Sequence, residues 1–334
     1  MAVLYPRWTI DLRVTGDYYR CMKLISCSLH RGGCALVLSF LTLHTASAET
    51  FRVATFNVEN YLDQPTQTRK QVKSEAAKAK IRESILAMKP DVIAFEEMGS
   101  LSALTELRDS LKSAGLDYTY LEHVAGWDTN IHVAVLSRFP FTDRRSHTND
   151  TFLLNGRRFS VSRGFAELDV RVNTNYVFTL FVAHLKSKRP VPEADEAEMR
   201  LEEAKLLREK IDTRLEANPN ANIIVLGDFN DTYNAASTKA VVGRGKFKLV
   251  DTRPSERNGD NLPNPSNPAW SPRSITWTHH YGVEDSYSRI DYILLSPGMA
   301  KEWIAGETYV VTVPNWGIAS DHRPLVATFD AANK

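Results

Sequence analysis

From Phe51 onward, apolar runs of strand length alternate with amphipathic stretches of helical length, and this alternation commits the chain to a layered α/β fold. The strand-length runs cover 51–57, 91–96, 118–123, 131–137, 158–172, 175–184, 222–228, 274–279, 289–295, 307–313 and 324–329. Helical periodicity covers 67–88, 100–114 and 194–216. Residues 170–177 read as a hairpin around a polar turn, so the sheet structure cannot be wholly parallel. The Pro/Asn-rich stretch 252–273 is expected to be a long loop, a kind of segment that often carries function in compact domains. Nothing divides residues 49–334 into separate cores, and one domain is expected there.

Residues 1–48 are expected to be an N-terminal extension and secretory signal peptide. Lys23 and Arg31 form a basic region, residues 34–43 an apolar core, and Ala46-Ser47-Ala48 the small residues a signal peptidase requires. The start of translation is open between Met1 and Met22, because the segment before Met22 carries Asp11 and Asp17 and resembles no signal sequence. The corresponding location is secreted or periplasmic. Cys21, Cys27 and Cys34 all lie in the leader, which leaves the following 286 residues without a disulfide or a thiolate metal site. No apolar run of about 20 residues follows the leader, so no stable membrane insertion is expected after signal removal. A monomer is expected. The leader holds five Lys/Arg and two Asp/Glu, leaving 36 basic and 38 acidic residues and a net charge of −2. Any attraction for a polyanion must therefore be local.

Polar groups interrupt the strands at particular places. Asn57, Glu97, His184, Asp228 and Asn230 stand at strand exits, whereas Asp291 and the pair Asp321-His322 stand at strand entrances. In a mixed sheet the exit of one strand and the entrance of its antiparallel neighbour share an edge, so all these groups can converge on one cleft. Singly each has an ordinary explanation: a turn for Asp228-Phe229-Asn230, a helix cap for Glu97, an ion pair with Arg289 for Asp291. Together they supply carboxylates, amides and imidazoles without cysteine. Such a set suits Mg²⁺ or Mn²⁺ and the hydrolysis of a phosphodiester.

The segments TFNVEN (55–60), DVIAFEEM (91–98), VAHLKS (182–187), NIIVLGDFND (222–231), SRIDYILLS (288–296) and SDHRPLVATF (320–329) together resemble the endonuclease/exonuclease/phosphatase superfamily, in that family's order and over nearly all of residues 51–329. The resemblance implies a four-layer α/β sandwich, two mixed β-sheets face to face with helices on the outer faces. It implies Glu97 as the main Mg²⁺ ligand with Asn57 beside it, and Asp321 as a further carboxylate near the metal. Asp228 would activate the attacking water, Asn230 would bind a phosphate oxygen, and His322, held by Asp291, would stabilise the transition state or protonate the leaving oxygen. His184 matches a second histidine found in the deoxyribonuclease I and sphingomyelinase branches. Nucleic acid is the expected substrate, with a lipid headgroup or small phosphodiester as the alternative.

Several other residues bear on substrate binding. Arg200 lies on the apolar face of the third predicted helix and points toward either the site edge or a buried carboxylate. Lys186 and Lys188 follow His184, in a run that is either a polyanion anchor or a solvated loop. His279 and His280 are set aside as a metal pair, since neighbours in a strand face opposite ways. Trp270, Trp277 and Trp316 are packing residues or base-stacking platforms.

Overall fold

The computed structural model describes residues 49–257, 266 and 276–333. The expected leader, Trp270 and most of the loop expected over 252–273 lie outside the described residues. In chain order the elements are β1 (Thr50–Tyr61), α1 (Glu75–Met88), β2 (Val92–Met98), α2 (Leu101–Ser113), β3 (Tyr120–Val124), β4 (His132–Ser137), β5 (Phe141–Arg144), β6 (Thr151–Leu154), β7 (Arg157–Ser160), β8 (Phe165–Asn173) and β9 (Tyr176–His184). There follow α3 (Glu196–Ala217), β10 (Ile223–Asp228), α4 (Ala236–Val242), β11 (Val250–Asp251), β12 (His279–Tyr281), β13 (Ser286–Ser288), β14 (Asp291–Leu295), α5 (Met299–Glu302), β15 (Trp303–Val310) and β16 (Leu325–Asp330).

Two six-stranded mixed sheets result, ordered β15-β16-β1-β2-β4-β3 and β11-β14-β10-β9-β8-β5. Strand alternation explains why they stack. Val53, Val92 and Val133 of the first sheet share one buried cluster with Leu168, Leu180, Leu226 and Ile293 of the second. Phe56 and Phe95 point the other way, onto Ile81 and Ile85 of α1 and Leu104 and Leu107 of α2. Phe181 and Val225 likewise meet Leu207, Ile211 and Leu215 of α3. The layers are therefore helix, sheet, sheet, helix, the sandwich expected from the sequence.

Several predicted elements differ in extent: the strand expected over 307–313 spans Trp303–Val310, and that over 274–279 is strand only from His279 among the described residues. The helix expected over 67–88 begins only at Glu75, because the Ser74 hydroxyl accepts the Ala77 N–H at 3.2 Å and caps it there. The run 158–172 is two strands: β7 ends at Ser160, and Gly164, at φ +70°, turns the chain into β8. That break sets Arg163 beside the sheet edge described below.

One ion-pair network braces the second sheet away from that edge. Glu167 of β8 is buried and accepts from Arg145 Nε at 2.7 Å, Arg214 Nε at 2.7 Å and His147 Nε2 at 2.7 Å. Burial pushes its carboxyl up, but the bonds from His147, Arg145 and Arg214 outweigh this and hold it at about 2, below the ordinary 4.5. A depressed carboxyl stabilises the fold above its unfolded value, so this contribution should fade as pH falls from 4.5 toward 2. Glu167→Gln is expected to cost about 3 kcal/mol at neutral pH, the low end for breaking a buried pair because both arginines keep some solvent. Denaturant unfolding at pH 7 and pH 3 checks this; the gap between variant and wild type must narrow in acid.

Candidate active site

Three neighbouring strands of the second sheet place three of the expected groups side by side. Asp228, the last residue of β10, pairs in parallel register with His184 of β9 and in antiparallel register with Asp291 of β14. An exit, an exit and an entrance thus share one edge. The first sheet faces them with Asn57 of β1 and Glu96 of β2, themselves register partners. The loop before β16, which runs antiparallel to β1, carries Asp321 and His322 to the same place.

Asp228 is the hub. Its Oδ1 accepts the Asn230 backbone N–H at 2.8 Å, and its Oδ2 accepts Asn57 Nδ2 at 3.0 Å and Asn230 Nδ2 at 3.3 Å. The same Oδ2 faces His184 Nε2 at 3.6 Å and His322 Nε2 at 3.8 Å. Asn230 adopts φ +53°, which turns its side chain back to Asp228 and to the Leu185 carbonyl at 3.0 Å. His322 Nδ1 donates to Asp291 Oδ2 at 2.9 Å, and Thr278 Oγ1 donates to the same oxygen at 2.6 Å. The Asp291 and Ile290 backbone N–H groups both donate to Thr278 Oγ1, which fixes the hydroxyl.

The two imidazoles carry opposite charge preferences. Burial alone would lower His322, but the carboxylates of Asp291 and Asp228 outweigh it and raise the ring well above its ordinary value. Burial lowers His184 well below its ordinary value, and Arg163, His322 and Arg69 add to this. Burial also raises Asp228, with His322 opposing and Asp291 reinforcing. A cationic imidazole, a neutral one and a carboxyl poised between them therefore occupy one buried cluster.

The neighbours Glu96 and Glu97 face different surroundings, and Glu96 adds to the groups the sequence reading named. Val92, Ala94 and Glu96 share the face toward the second sheet, so Glu96 enters the cluster and its Oε1 accepts Thr55 Oγ1 at 2.8 Å. Glu97, at φ +60°, lies where the register of β2 shifts, and its Oε2 accepts the Asn60 N–H at 3.0 Å. It lies close to Glu59, whose carboxyl is raised by burial, eased by Lys73, and pushed up by Asp321 and Glu97. Asn57 Oδ1 meanwhile accepts the Glu59 N–H at 2.9 Å.

This donor set fits a divalent cation. Burial, and then Asp291, raise the Glu96 carboxyl well above its ordinary value, and its Oε2 is buried without a hydrogen-bond partner. A cation would relieve that repulsion and supply the missing partner. Ligand atoms of Asp228, Asp291 and His322 lie within 4.8 Å of one another.

The residues expected to bind substrate are largely engaged with the protein. Arg200 donates to the Lys186 carbonyl at 2.9 Å and to Asp231 Oδ2 at 3.0 Å, a half-buried carboxylate that directly follows Asn230. Lys186 Nζ donates to the carbonyls of Ser187 at 3.1 Å and Arg189 at 2.9 Å. Lys188 lies on the rim, 3.6 Å from Asp231 Oδ1. Trp277 packs its face on the Arg323 guanidinium, 3.2 Å from ring centre to Cζ, and Trp316 stands 5.3 Å from Trp277; both serve packing.

The sequence reading missed Arg163. It is buried, its Nε and Nη1 have no hydrogen-bond partner, and its nearest carboxylate oxygen is Asp128 Oδ2 at 3.7 Å. Its charge acts on both His184 and Lys186. The Ser-Arg-Gly break between two apolar runs was the available sign.

Comparison with known proteins agrees with this fold. The chain has the fold of truncated Caenorhabditis elegans TDP2, at 14% identity and a TM-score of 0.56 over 84% of this chain and 98% of that one. The human Nocturnin catalytic domain gives 17%, 0.57, 85% and 95%. Sphingomyelinase C from Streptomyces griseocarneus gives 17%, 0.55, 85% and 100%. No curated protein matches the sequence. The profile of the Endonuclease/Exonuclease/phosphatase family matches residues 54–322, from the start of β1 to His322, and the chain belongs to that family.

Proposed function

We propose that this protein is a secreted or periplasmic, monomeric phosphodiesterase, a nuclease that cleaves DNA or RNA by in-line attack of water. One observation carries the chemistry: the Asp228 carboxyl faces a neutral imidazole on one side and a cationic one on the other, His184 at 3.6 Å and His322 at 3.8 Å. Asp228 takes a proton from water as its oxygen bonds to phosphorus. His322 Nε2 gives a proton to the leaving oxygen as the phosphorus–oxygen ester bond breaks. Asp291, fixed by Thr278, keeps His322 in the orientation and charge state for this. Neutral His184 donates to the phosphoryl oxygens, and so does Asn230 once its Nδ2 exchanges the 3.3 Å bond to Asp228 for substrate.

Mg²⁺ or Mn²⁺, held by Glu97, Asn57 and Asp321 as the family resemblance implies and with Glu96 adjoining, would neutralise charge developing on the phosphoryl group. Arg163 supports a polyanionic substrate, being a buried cation with two unpartnered nitrogens beside His184. The Nocturnin catalytic domain of similar fold holds a sulfate anion, a tetrahedral mimic of phosphate. The expected leader supports export.

A second reading has its own observation. The β12–β13 hairpin begins at His279 and exposes Tyr281, Val283 and Tyr287, an apolar tip suited to a lipid surface. A sphingomyelinase shares the fold. Purified protein with Mg²⁺ or Mn²⁺, and with EDTA as control, is to be assayed on plasmid DNA, single-stranded DNA, RNA, sphingomyelin liposomes and bis-p-nitrophenyl phosphate. EDTA-sensitive nicking or degradation is expected. Intact nucleic acid alongside turnover of sphingomyelin selects the second reading, and inertness toward every substrate defeats both. Proteolytic mapping of exported protein should place the first residue near Glu49.

A further inference from the structure

His279 and His280 do face opposite ways, but one of those ways is the site. His280 turns to Asp285, with Nε2 3.5 Å from Oδ1. His279 Nε2 instead lies 3.6 Å from Asp321 Oδ2. The backbone enforces this. His279 bridges His322 in antiparallel register, flanked by the bonds His280 N–H to Asp321 O at 2.9 Å and Arg323 N–H to Thr278 O at 2.7 Å. The two histidines therefore form a non-hydrogen-bonded pair, the closer of the two antiparallel pairings, and their ring centres stand 4.6 Å apart.

Around Asp321 this yields a compact set of unlike donors. His322 Nε2 is 3.9 Å from Asp321 Oδ1, and ligand atoms of His279, Asp321 and His322 all lie within 4.8 Å of one another. Tetrahedral zinc with bonds near 2.1 Å separates its ligands by about 3.4 Å, so small side-chain rotations suffice. The far nitrogen of His322 is already held by Asp291, the carboxylate–histidine arrangement that orients a metal-binding imidazole. The carboxylate of Asp321 is 43% exposed, which gives an ion access from solvent.

We propose that His279, Asp321 and His322 bind Zn²⁺ or a similar borderline transition metal, and that this ion inhibits the Mg²⁺-supported hydrolysis. Two imidazoles and one carboxylate with a position left for water suit zinc, whereas the oxygen-rich group around Glu97 and Asn57 suits magnesium. Zinc on His322 Nε2 takes the lone pair that otherwise carries the proton given to the leaving oxygen. The inhibition rests on the hydrolytic reading above; the binding does not.

Metal-free full-length protein with Cys21, Cys27 and Cys34 replaced by serine, so that no thiol competes, is to be titrated with Zn²⁺ by calorimetry and with Co²⁺ by visible absorption. One equivalent should bind, with Co²⁺ giving the visible bands of a low-coordinate site. His279→Ala and His279→Gln, each checked for an unchanged melting profile, should bind at least about tenfold more weakly, since even loss of an outer partner costs that much. His280→Ala should bind as wild type. In the second arm, Zn²⁺ should suppress Mg²⁺-supported turnover of bis-p-nitrophenyl phosphate, and His279→Gln should need at least tenfold more zinc for the same suppression. Absence of a one-equivalent site, or equal affinity in wild type and both His279 variants, overturns the site. Binding without suppression overturns the inhibition. Zinc binding by a protein inert toward every phosphodiester leaves the site standing and defeats the hydrolytic reading.

Discussion

Asp228→Asn is expected to lower kcat by about 10²–10⁴-fold, the span of a lost general base, while the protein stays folded. The asparagine keeps an oxygen for the Asn230 N–H, loses the ability to take a proton, and gives up the acceptor that Asn57 and Asn230 Nδ2 share. The carboxyl's raised pKa comes first from burial, so ionising it in the folded state opposes folding. A raised carboxyl makes the fold less stable as pH climbs from its unfolded value to its folded one, and the variant escapes that loss. That gain is offset by the bonds lost from Asn57 and Asn230, so the melting temperature at pH 7 should stay within about 5 °C of wild type. Steady-state kinetics on whichever substrate the panel selects, with melting curves alongside, checks both halves. Turnover near the wild-type rate would remove Asp228 from the chemistry and with it the role given to the flanking histidines.

How much of this the sequence disclosed follows from what strand periodicity can and cannot carry. Asp228, His184 and Asp291 were readable because each ends or opens an apolar run, and neighbouring strands must align such positions on one edge. The layering was readable because Val53, Val92 and their alternates had to bury opposite faces. Glu96 was hidden by its own neighbour. Alternation from Val92 and Ala94 puts Glu96 toward the second sheet, but the register shift of β2 at Glu97 depends on a positive φ that no pattern of residue types announces. Arg163 was hidden because its loop looked like the middle of one long strand. The contacts of Lys186 and Arg200 were undecidable in principle: both residues do lie beside the site, and only tertiary geometry shows that Arg200 bonds Asp231 and the Lys186 carbonyl while Lys186 bonds carbonyls of its own loop.

Gly227→Ala is the complementary experiment, expected to cost more than about 4 kcal/mol, the range reserved for a steric fault inside a packed core. Gly227 sits in β10 at φ +128°, a conformation that side-chain-bearing residues rarely adopt. A Cβ there would stand 2.0 Å from the Ala183 carbonyl oxygen of β9 and 3.0 Å from Glu96 Oε1. The first contact is with backbone in the middle of a sheet and cannot rotate away. The glycine before Asp228 thus lets two strands and a buried carboxyl crowd together directly behind the hub of the cluster. Chemical denaturation, or loss of soluble protein where destabilisation is complete, reads the effect; a midpoint within experimental error of wild type would show that β9 and β10 do not approach as closely as described. The pair of variants separates two kinds of failure at adjacent positions. Asp228→Asn should leave a folded protein without catalysis, whereas Gly227→Ala should remove the fold that brings the catalytic groups together.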